Sequence, residues 1–114
     1  MSEVRVRNEQ TGGEKGAKPQ AMSLLPWEAL LRVSEVYGFG SEKYEPHNWR
    51  KGYDWHLSFD ALHRHLAAFW TGEDMDPESG LPHLAHAAFH VLTLLVFSEH
   101  GYEALDDRPR RVPY

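Results

Sequence analysis

The chain of 114 residues contains no cysteine. This absence excludes disulfides, thiolate zinc sites, iron–sulfur clusters and a cysteine nucleophile, so any metal ion must be bound by oxygen atoms and imidazoles. Basic residues are also few, because 12 Lys and Arg stand against 17 Asp and Glu and leave a net charge of -5. A surface of that sign repels polyanions, and binding to a nucleic acid polymer is therefore disfavoured.

Long apolar segments are missing as well. Residues 1–20 are polar and lack the apolar stretch of a secretion signal, which predicts a cytoplasmic protein. The longest apolar run, residues 81–97, contains three histidines and is shorter than the ~20 residues that a membrane helix needs. We therefore expect no membrane partner. Histidine and tryptophan are abundant instead, with 8 and 4 copies.

Apolar residues at helical spacing predict three helices. Helix A covers residues 26–37 and ends at Gly38, helix B begins at a capping Ser58 and stops at Gly72, and helix C runs from Pro82 to His100. No alternating strand pattern is evident, so the predicted fold class is all-α, a compact bundle of three to four helices. A fourth short helix or a second copy of the chain would complete the core, and helix C is expected at its centre.

The remaining segments divide the chain further. Residues 1–22 form a glycine-rich arm that is expected to lack regular structure and to be loose or ordered by a ligand. Residues 23–105 form the all-α domain, and residues 106–114 form a mobile tail. The loop over residues 38–57 is long enough to suggest a function. Among the tryptophans, Trp49 and Trp55 are expected to be free to stack on a nucleobase, and Trp27 and Trp70 to lie in the core.

Histidines and carboxylates converge in the expected hairpin of helices B and C. His83 and His86 lie on one stripe of helix C, together with His90, for which a hydrogen-bonded core position is the favoured interpretation. The preceding turn carries four carboxylates, those of Glu73, Asp74, Asp76 and Glu78. Crowded like charges are costly unless a cation neutralises them, which predicts a site for Mg²⁺ or Mn²⁺, of which Mn²⁺ accepts nitrogen more readily. The other interpretation is a solvated turn beside structural histidines.

Cations are scattered through this acidic sequence. Lys15 and Lys18 lie in the arm, Lys43 in the loop and Arg64 on helix B. The arm lacks the spacing of a Walker phosphate loop, but glycines beside lysines can present backbone N–H groups to phosphate. A disordered charged arm is the alternative interpretation.

Several fragments together resemble a phage family of dATP/dGTP pyrophosphohydrolases, similar to MazG, within the all-α nucleoside triphosphate pyrophosphohydrolases. The resemblance covers residues 10–98. Its fragments are Gly12-Gly13-x-Lys15-x-x-Lys18-Pro19, Leu25-Pro26-Trp27, Tyr37-Gly38-x-Gly40, Lys43-Tyr44, Asn48-Trp49-x-x-Gly52, Arg64-His65-Leu66 and Gly72-Glu73-Asp74-x-Asp76-x-Glu78-Ser79-Gly80-Leu81-x-His83-Leu84-x-His86. The resemblance implies cleavage of a purine deoxynucleoside triphosphate to the monophosphate and pyrophosphate, and a supply of dGMP for 2-aminoadenine nucleotide synthesis in a phage.

The resemblance also implies site residues. The family pattern of two acidic pairs matches Glu42-x-x-Glu45 and Glu73-x-x-Asp76, of which Glu45 is the weaker because Pro46 follows it. Helix C offers His83 and His86 instead, so two ligand sets remain open. Glu73 and Asp76 belong to both sets and are the expected catalytic residues. The implied substrate contacts are Lys15, Lys18, Lys43, Arg64 and His65 for the phosphates and Asn48 and Trp49 for the base.

Two other functions stay open at this point. One is a metal-dependent triphosphohydrolase that releases triphosphate from a deoxynucleoside triphosphate. The other is a non-enzymatic helical binding module in which the histidines are structural. In each case an incomplete three-helix core favours a homo-oligomer.

Overall fold

A computed structural model describes residues 3–110 of the chain. Two antiparallel strands, β1 (Val4–Arg7) and β2 (Glu14–Ala17), precede three helices, α1 (Trp27–Lys43), α2 (Trp55–Trp70) and α3 (His83–Glu99). Single 3-10 turns lie at Met22–Leu24, Asn48–Lys51 and Glu103–Leu105. The predicted helical bundle is confirmed, with a small two-stranded sheet added to it. Within the described residues, each helix is too short or too polar to cross a membrane.

Helix α3 lies at the centre of the bundle and packs against both α1 and α2. Val33 and Val36 of α1 form a buried cluster with Ala85 of α3. The small alanine lets the two helices approach closely. One turn further along α3, the ring of Phe89 lies 4.7 Å from that of Tyr37. These contacts pack the middle and carboxyl-terminal half of α1 against the amino-terminal half of α3.

Helix α1 is longer than predicted, because it continues through Gly38 and Gly40 to Lys43. Each glycine inside a helix costs about 1 kcal/mol relative to alanine, which is why the sequence favours an end at Gly38. Packing overrides that cost, since Phe39 lies edge-on to His86 of α3 with ring centroids 6.1 Å apart. The longer helix carries Lys43 to the carboxylate turn.

Helix α2 differs from its prediction at the start and in the face it buries. It begins at Trp55, and Ser58 is a fully buried residue inside the helix rather than its cap. Trp55 is buried, whereas Trp70, expected in the core, is 86% exposed, and Trp27 is also exposed. The placement predicted for these three tryptophans is therefore wrong. Phe59, Leu66 and Trp70 of the predicted apolar stripe are exposed, and the residues that α2 buries are Trp55, Ser58 and Ala61.

The expectation that the arm lacks regular structure is also wrong. Strands β1 and β2 pair in register from Val4 opposite Ala17 to Arg7 opposite Glu14. The turn is closed by Asn8, whose backbone N–H donates to the Gly13 carbonyl at 2.8 Å. Its side-chain oxygen also accepts two backbone N–H groups of the turn. A short Val-Arg-Val-Arg alternation before a loop that begins with Asn8 and ends with two glycines is the signal that indicates this hairpin.

The tail is held against the start of α2 as far as the structure describes it. The Asp107 carboxylate accepts hydrogen bonds from the backbone N–H of His56 at 3.0 Å and from the His56 ring. The guanidinium of Arg108 lies 4.7 Å from the Trp55 ring centroid. These contacts join residues 106–108 to α2, the mobility of the tail stays a prediction, and residues 111–114 of the predicted tail lie outside the described part.

Candidate active site

A cavity of about 700 Å³ opens between the end of α1, the loop before α2, and the facing sides of α2 and α3. Its two ends differ in chemistry. The polar end is lined by Lys43, Arg64, His65, Asp76, Glu78 and His86. The other end is lined by aromatic rings, among them Tyr37, Trp49, Tyr53 and Phe89. The cavity therefore joins a charged end to a flat apolar end.

Three side chains form a group that we call the donor cluster, namely His65 and Asp76, which line the polar end, and the buried His83, which does not line the cavity. One ligand atom of each lies within 4.8 Å of the other two. The Nδ1 atoms of His65 and His83 are 2.9 Å apart. The ring of His86 stacks on that of His65 at 4.6 Å, with 8° between the planes. Helices α2 and α3 thus bring three imidazoles together beside one carboxylate.

The turn between α2 and α3 holds Asp76 in place. Its backbone N–H donates to the Leu81 carbonyl at 2.8 Å, and its carbonyl accepts from Gly80, which has a φ of 72° that suits glycine. Oδ2 of Asp76 accepts hydrogen bonds from the backbone N–H and the hydroxyl of Ser79. Burial alone would raise the pKa of Asp76, but the hydrogen bonds from Ser79 outweigh it and lower the pKa, so the side chain is a carboxylate.

The same hydrogen bonds define the protonation of His86. Because the Ser79 hydroxyl donates to Asp76, its lone pair accepts from Nε2 of His86 at 2.7 Å. Nδ1 of His86 then carries the lone pair of the neutral ring. Burial lowers the pKa of His86. Burial, followed by the neighbouring His86, also lowers the pKa of His65. Both rings are therefore neutral near pH 7 and have lone pairs available.

Glu73 lies on the outer side of His83. Its Oε1 accepts a hydrogen bond from Nε2 of His83 at 2.6 Å, on the side of the ring away from His65. The Glu73 side chain is 55% exposed, whereas that of His83 is 5% exposed. Glu73 is therefore outside the donor cluster and orients His83, whose Nδ1 lone pair then faces His65.

Some of the other metal and substrate contacts predicted from the sequence line the cavity, and others lie outside it. Lys43 and Arg64 line its polar end, and Asn48 and Trp49 line its aromatic end. The Nζ atom of Lys43 lies 2.6 Å from a carboxylate oxygen of Glu78. Among the described residues that line the cavity there is no Glu42, Glu73, His83, Lys15 or Lys18; Lys15 borders a separate depression at the hairpin.

The sequence interpretation missed two features of the site. His65 was expected to contact substrate, and the structure adds it to the possible metal ligands. The second is the bonding of Tyr53 and Ser58 to His90 along the cavity wall, although a hydrogen-bonded position was the favoured interpretation for His90 itself. For His90 a signal exists, because it continues the stripe of His83 and His86 on one helix face. For Ser58 none does, since a serine at a helix start usually indicates a cap.

The fold and site define an all-α domain with an imidazole and carboxylate cluster at one end of an aromatic-walled cavity. The chain belongs to the family described as dATP/dGTP diphosphohydrolase, N-terminal, whose sequence model matches residues 9–108. The dATP/dGTP diphosphohydrolase of Salmonella phage PMBT28 is 35% identical over 75 residues. This alignment covers 66% of the chain but 25% of the relative, so the chain spans about a quarter of that protein's length. No solved structure matches the chain.

Proposed function

We propose that this domain hydrolyses dATP and dGTP to the deoxynucleoside monophosphate and pyrophosphate with the help of Mg²⁺ or Mn²⁺. The observation that carries the proposal is the donor cluster at one end of a cavity whose other end is aromatic. A nucleotide has the same division, with charged phosphates at one end and a flat base at the other. The family description, which names dATP and dGTP, supports this choice of substrate.

The donor cluster fits a divalent cation. His83 donates its Nε2–H to Glu73, so its Nδ1 lone pair accepts from Nδ1–H of His65, 2.9 Å away, and a divalent cation would take the place of that proton. Two nitrogens that bind one ion at about 2.1 Å, at about a right angle, are separated by roughly 3.0 Å. A carboxylate partner on the ligating histidine is also typical of metal sites. Because two of the three donors are nitrogen, we favour Mn²⁺ over Mg²⁺.

The remaining residues divide the substrate between them. Lys43 and Arg64 neutralise the outer phosphates, and Lys43 exchanges its ion pair with Glu78 for a phosphate oxygen. Trp49 and Tyr37 provide faces for stacking on the base, and the Asn48 amide offers hydrogen bonds to its edge. A bound divalent cation would neutralise the charge that develops at the α-phosphate.

The reaction we propose is an in-line displacement by water. The water oxygen forms a bond to the α-phosphorus, and the bond from that phosphorus to the oxygen bridging to the β-phosphate breaks. Pyrophosphate leaves with the electron pair of the broken bond. The water gives its proton to Nδ1 of His86, the free acceptor of that ring. Asp76 is a weaker base, because the hydrogen bonds from Ser79 lower its pKa.

The products suggest a role in nucleotide supply. Cleavage of dGTP yields dGMP, a precursor for the 2-aminoadenine nucleotide, and cleavage of dATP depletes the competing nucleotide. The relative from a Salmonella phage supports a phage setting, in which the domain would act in the host cytoplasm. Growth of a host that expresses the domain would test this, since a falling dATP pool is expected.

A non-enzymatic nucleotide-binding domain is the second candidate. The chain spans about a quarter of the phage relative, and the family description places the matched region at the amino terminus. The reaction could then belong to the other three quarters of such a protein. In that case the cavity would bind purine nucleotides without cleaving them.

We also propose that the domain self-associates through α3. Leu84, Val91 and Leu95 are exposed on one stripe of this helix, which carries no formal charge before Glu99. A helix that is apolar on all sides is normally covered, and exposed Phe59 and Trp70 extend the apolar surface onto α2. Sedimentation should show a dimer or larger species that Val91→Glu dissociates. A monomeric wild-type protein would contradict this proposal.

One pair of measurements decides between these functions. Calorimetry should show saturable Mn²⁺ binding, and chromatography of inorganic products from dGTP should show pyrophosphate. Triphosphate among the products would identify a triphosphohydrolase. Nucleotide binding without any product would favour the binding domain, and the absence of binding to both Mn²⁺ and dGTP would overturn the proposal.

A further inference from the structure

Three uncharged polar side chains form a continuous hydrogen-bonded relay in the cavity wall. The hydroxyl groups of Tyr53 and Ser58 are 2.6 Å apart, and the Ser58 hydroxyl is 2.9 Å from Nδ1 of His90. Ser58 is fully buried, and all three residues line the cavity. The reaction proposed above makes no use of this relay.

The direction of the relay is free to reverse. Each hydroxyl can donate or accept, and among the described residues no charged side chain bonds to any of the three. Burial lowers the pKa of His90 to about 4, so the ring is neutral and has one donor and one acceptor. If Ser58 donates to Nδ1, then Nε2 of His90 carries the proton. If Nδ1 donates to Ser58, then Nε2 carries a lone pair.

Nε2 of His90 is open to the cavity. The buried side-chain atoms that lack a partner in the described part of the chain are Trp55 Nε1 and Thr93 Oγ1. His90 Nε2 is not among them, and no hydrogen bond to it is formed within residues 3–110, so it has open space beside it. The Phe89 ring meets the imidazole edge-on at 5.0 Å. The free nitrogen is thus presented beside aromatic surface, where a flat ligand would lie.

Adenine and guanine differ at position 6 in the direction of their hydrogen bond. Guanine presents an oxygen acceptor there, and adenine presents an amino donor. A site with a fixed donor would exclude adenine, and a site with a fixed acceptor would exclude guanine. One cavity that serves both bases needs a group that changes between the two states at little cost.

We propose that Nε2 of His90 contacts position 6 of the bound purine and that the relay reverses to match the base. With guanine, Nε2–H donates to the 6-oxo group; with adenine, the Nε2 lone pair accepts from the 6-amino group. This inference rests on the proposed purine nucleotide specificity. His90 is the specificity residue, and Ser58 and Tyr53 are positioning residues that allow either tautomer.

Calorimetry with Mn²⁺ and three non-hydrolysable nucleotides tests the contact. The ligands are the α,β-methylene analogues of dGTP, of dATP and of the deoxynucleotide of unsubstituted purine, which has no group at position 6. The wild-type protein should bind the first two about five- to tenfold more tightly than the third, the effect of one hydrogen bond. His90→Leu should bind all three alike. The comparison is made within each variant, so it does not depend on the fraction folded.

Tyr53→Phe tests the reversal separately. Without the phenol, the hydroxyl proton of Ser58 has an acceptor within the relay only when it is donated to Nδ1, which leaves the ring proton on Nε2. The preference for the dGTP analogue over the dATP analogue should rise about three- to tenfold relative to wild type. Tyr44→Phe is the matched control, because Tyr44 lines the cavity outside the relay and should leave the ratio unchanged.

The outcomes separate this inference from the proposed function. If no analogue binds the wild-type protein, the proposed function fails. If the analogues bind but neither His90→Leu nor Tyr53→Phe alters their ratios, the relay inference is overturned. A fourth ligand, the 3′-deoxy counterpart of the dGTP analogue, tests for a contact with the sugar. The inference is also overturned if His90→Leu removes only the difference in affinity between this ligand and the dGTP analogue, because His90 would then contact the sugar.

Discussion

Two groups of histidine and aspartate in this domain look alike by composition and differ in environment. One is the donor cluster of His65, Asp76 and His83, and the other is formed by Asp54, His56 and Asp107 where the tail meets α2. In both groups the ligand atoms lie within 4.8 Å of one another. In the first group His65 and Asp76 line the cavity and His83 is buried, whereas the second group is exposed throughout.

The environment gives the two groups opposite electrostatics. The hydrogen bond that the Asp107 carboxylate accepts raises the pKa of the exposed His56, which favours an imidazolium in an ion pair. Burial lowers the pKa of His65, which favours a neutral ring with a lone pair. Both oxygens of Asp107 are occupied by His56. Residue types alone therefore do not distinguish the two groups, whereas burial and the hydrogen bonds on their outer sides do, and both favour the donor cluster as the proposed ion site.

The largest expected effect is that of Asp76→Asn. Loss of the carboxylate should weaken Mn²⁺ binding by on the order of 100-fold, and dGTP turnover should fall with it. Asp54→Asn in the exposed group is the matched control and should change neither quantity. Calorimetry and product chromatography measure the two effects.

The far-ultraviolet circular dichroism of both variants should match wild type, because the helices do not depend on either side chain. Equal Mn²⁺ affinities for Asp76→Asn and wild type would remove Asp76 from the proposed ion site. If Asp76→Asn and Asp54→Asn lost Mn²⁺ affinity and dGTP turnover equally, the difference in burial between the two groups would have no consequence for function.

Glu73→Gln should have a smaller effect. A glutamine oxygen can still accept from Nε2 of His83, but it no longer strengthens the basicity of the ring, so Mn²⁺ affinity should fall about tenfold. Asp74→Asn is the control, because only the backbone carbonyl of Asp74 contacts His83. A loss as large as that of Asp76→Asn would instead indicate that Glu73 binds the ion directly.

The pH dependence of stability tests the same difference between buried and exposed histidines. The pKa of His90 is lowered to about 4, and those of His65 and His86 are also lowered, all chiefly by burial. Between about pH 6.5 and 4 the unfolded chain therefore binds more protons than the folded one, so the free energy of unfolding should fall as the pH falls.

Urea unfolding at a series of pH values measures this slope. Proton NMR of the imidazoles should show His65 titrating below about 6.5 and His56 above it. His90→Leu should flatten the slope, whereas His100→Gln, at an exposed position, should leave it unchanged. Titration of His65 and His56 at the same pH would show that the two environments are equivalent.

The helices and the position of the site follow from local patterns, which is why they could be predicted from the sequence. The apolar period predicts helix C to within one residue at each end, and the acidic turn beside His83 predicts the location of the donor cluster. The end of helix A could not be predicted, because it depends on contacts of Phe39 with α3 that outweigh two glycines. Local propensity does not contain that information.

The separate roles of the site residues are equally non-local. Glu73 and Asp76 have the same chemistry and lie three positions apart, yet one points into the cluster and the other lies behind His83. The pairing of Ser58 with His90 spans 32 positions and depends on how α2 is rotated against α3. A sequence gives the residue types, but the rotation of packed helices decides which atoms meet.

The smallest expected effect concerns the exposed group. Asp107→Asn should leave the melting temperature almost unchanged, because exposed ion pairs contribute little to stability. It should nevertheless free the tail, since Asp107 provides the described hydrogen bonds between the tail and His56. Trypsin should therefore cleave after Arg110 faster in Asp107→Asn than in the matched control Asp106→Asn, whereas the bond after Arg108 precedes Pro109 and resists trypsin.

The same cleavage depends on pH in a defined direction. The His56–Asp107 pair is fully formed below about pH 6.5 and is lost as the pH rises through the raised pKa of His56, so cleavage should accelerate toward alkaline pH. Asp107→Asn corrects for the pH dependence of trypsin itself, because it lacks the ion pair. If the ratio of the cleavage rates of wild type and Asp107→Asn stays constant across the pH range, protonation of His56 does not affect how firmly the tail is held. The contrast with the cavity would then lie in burial alone.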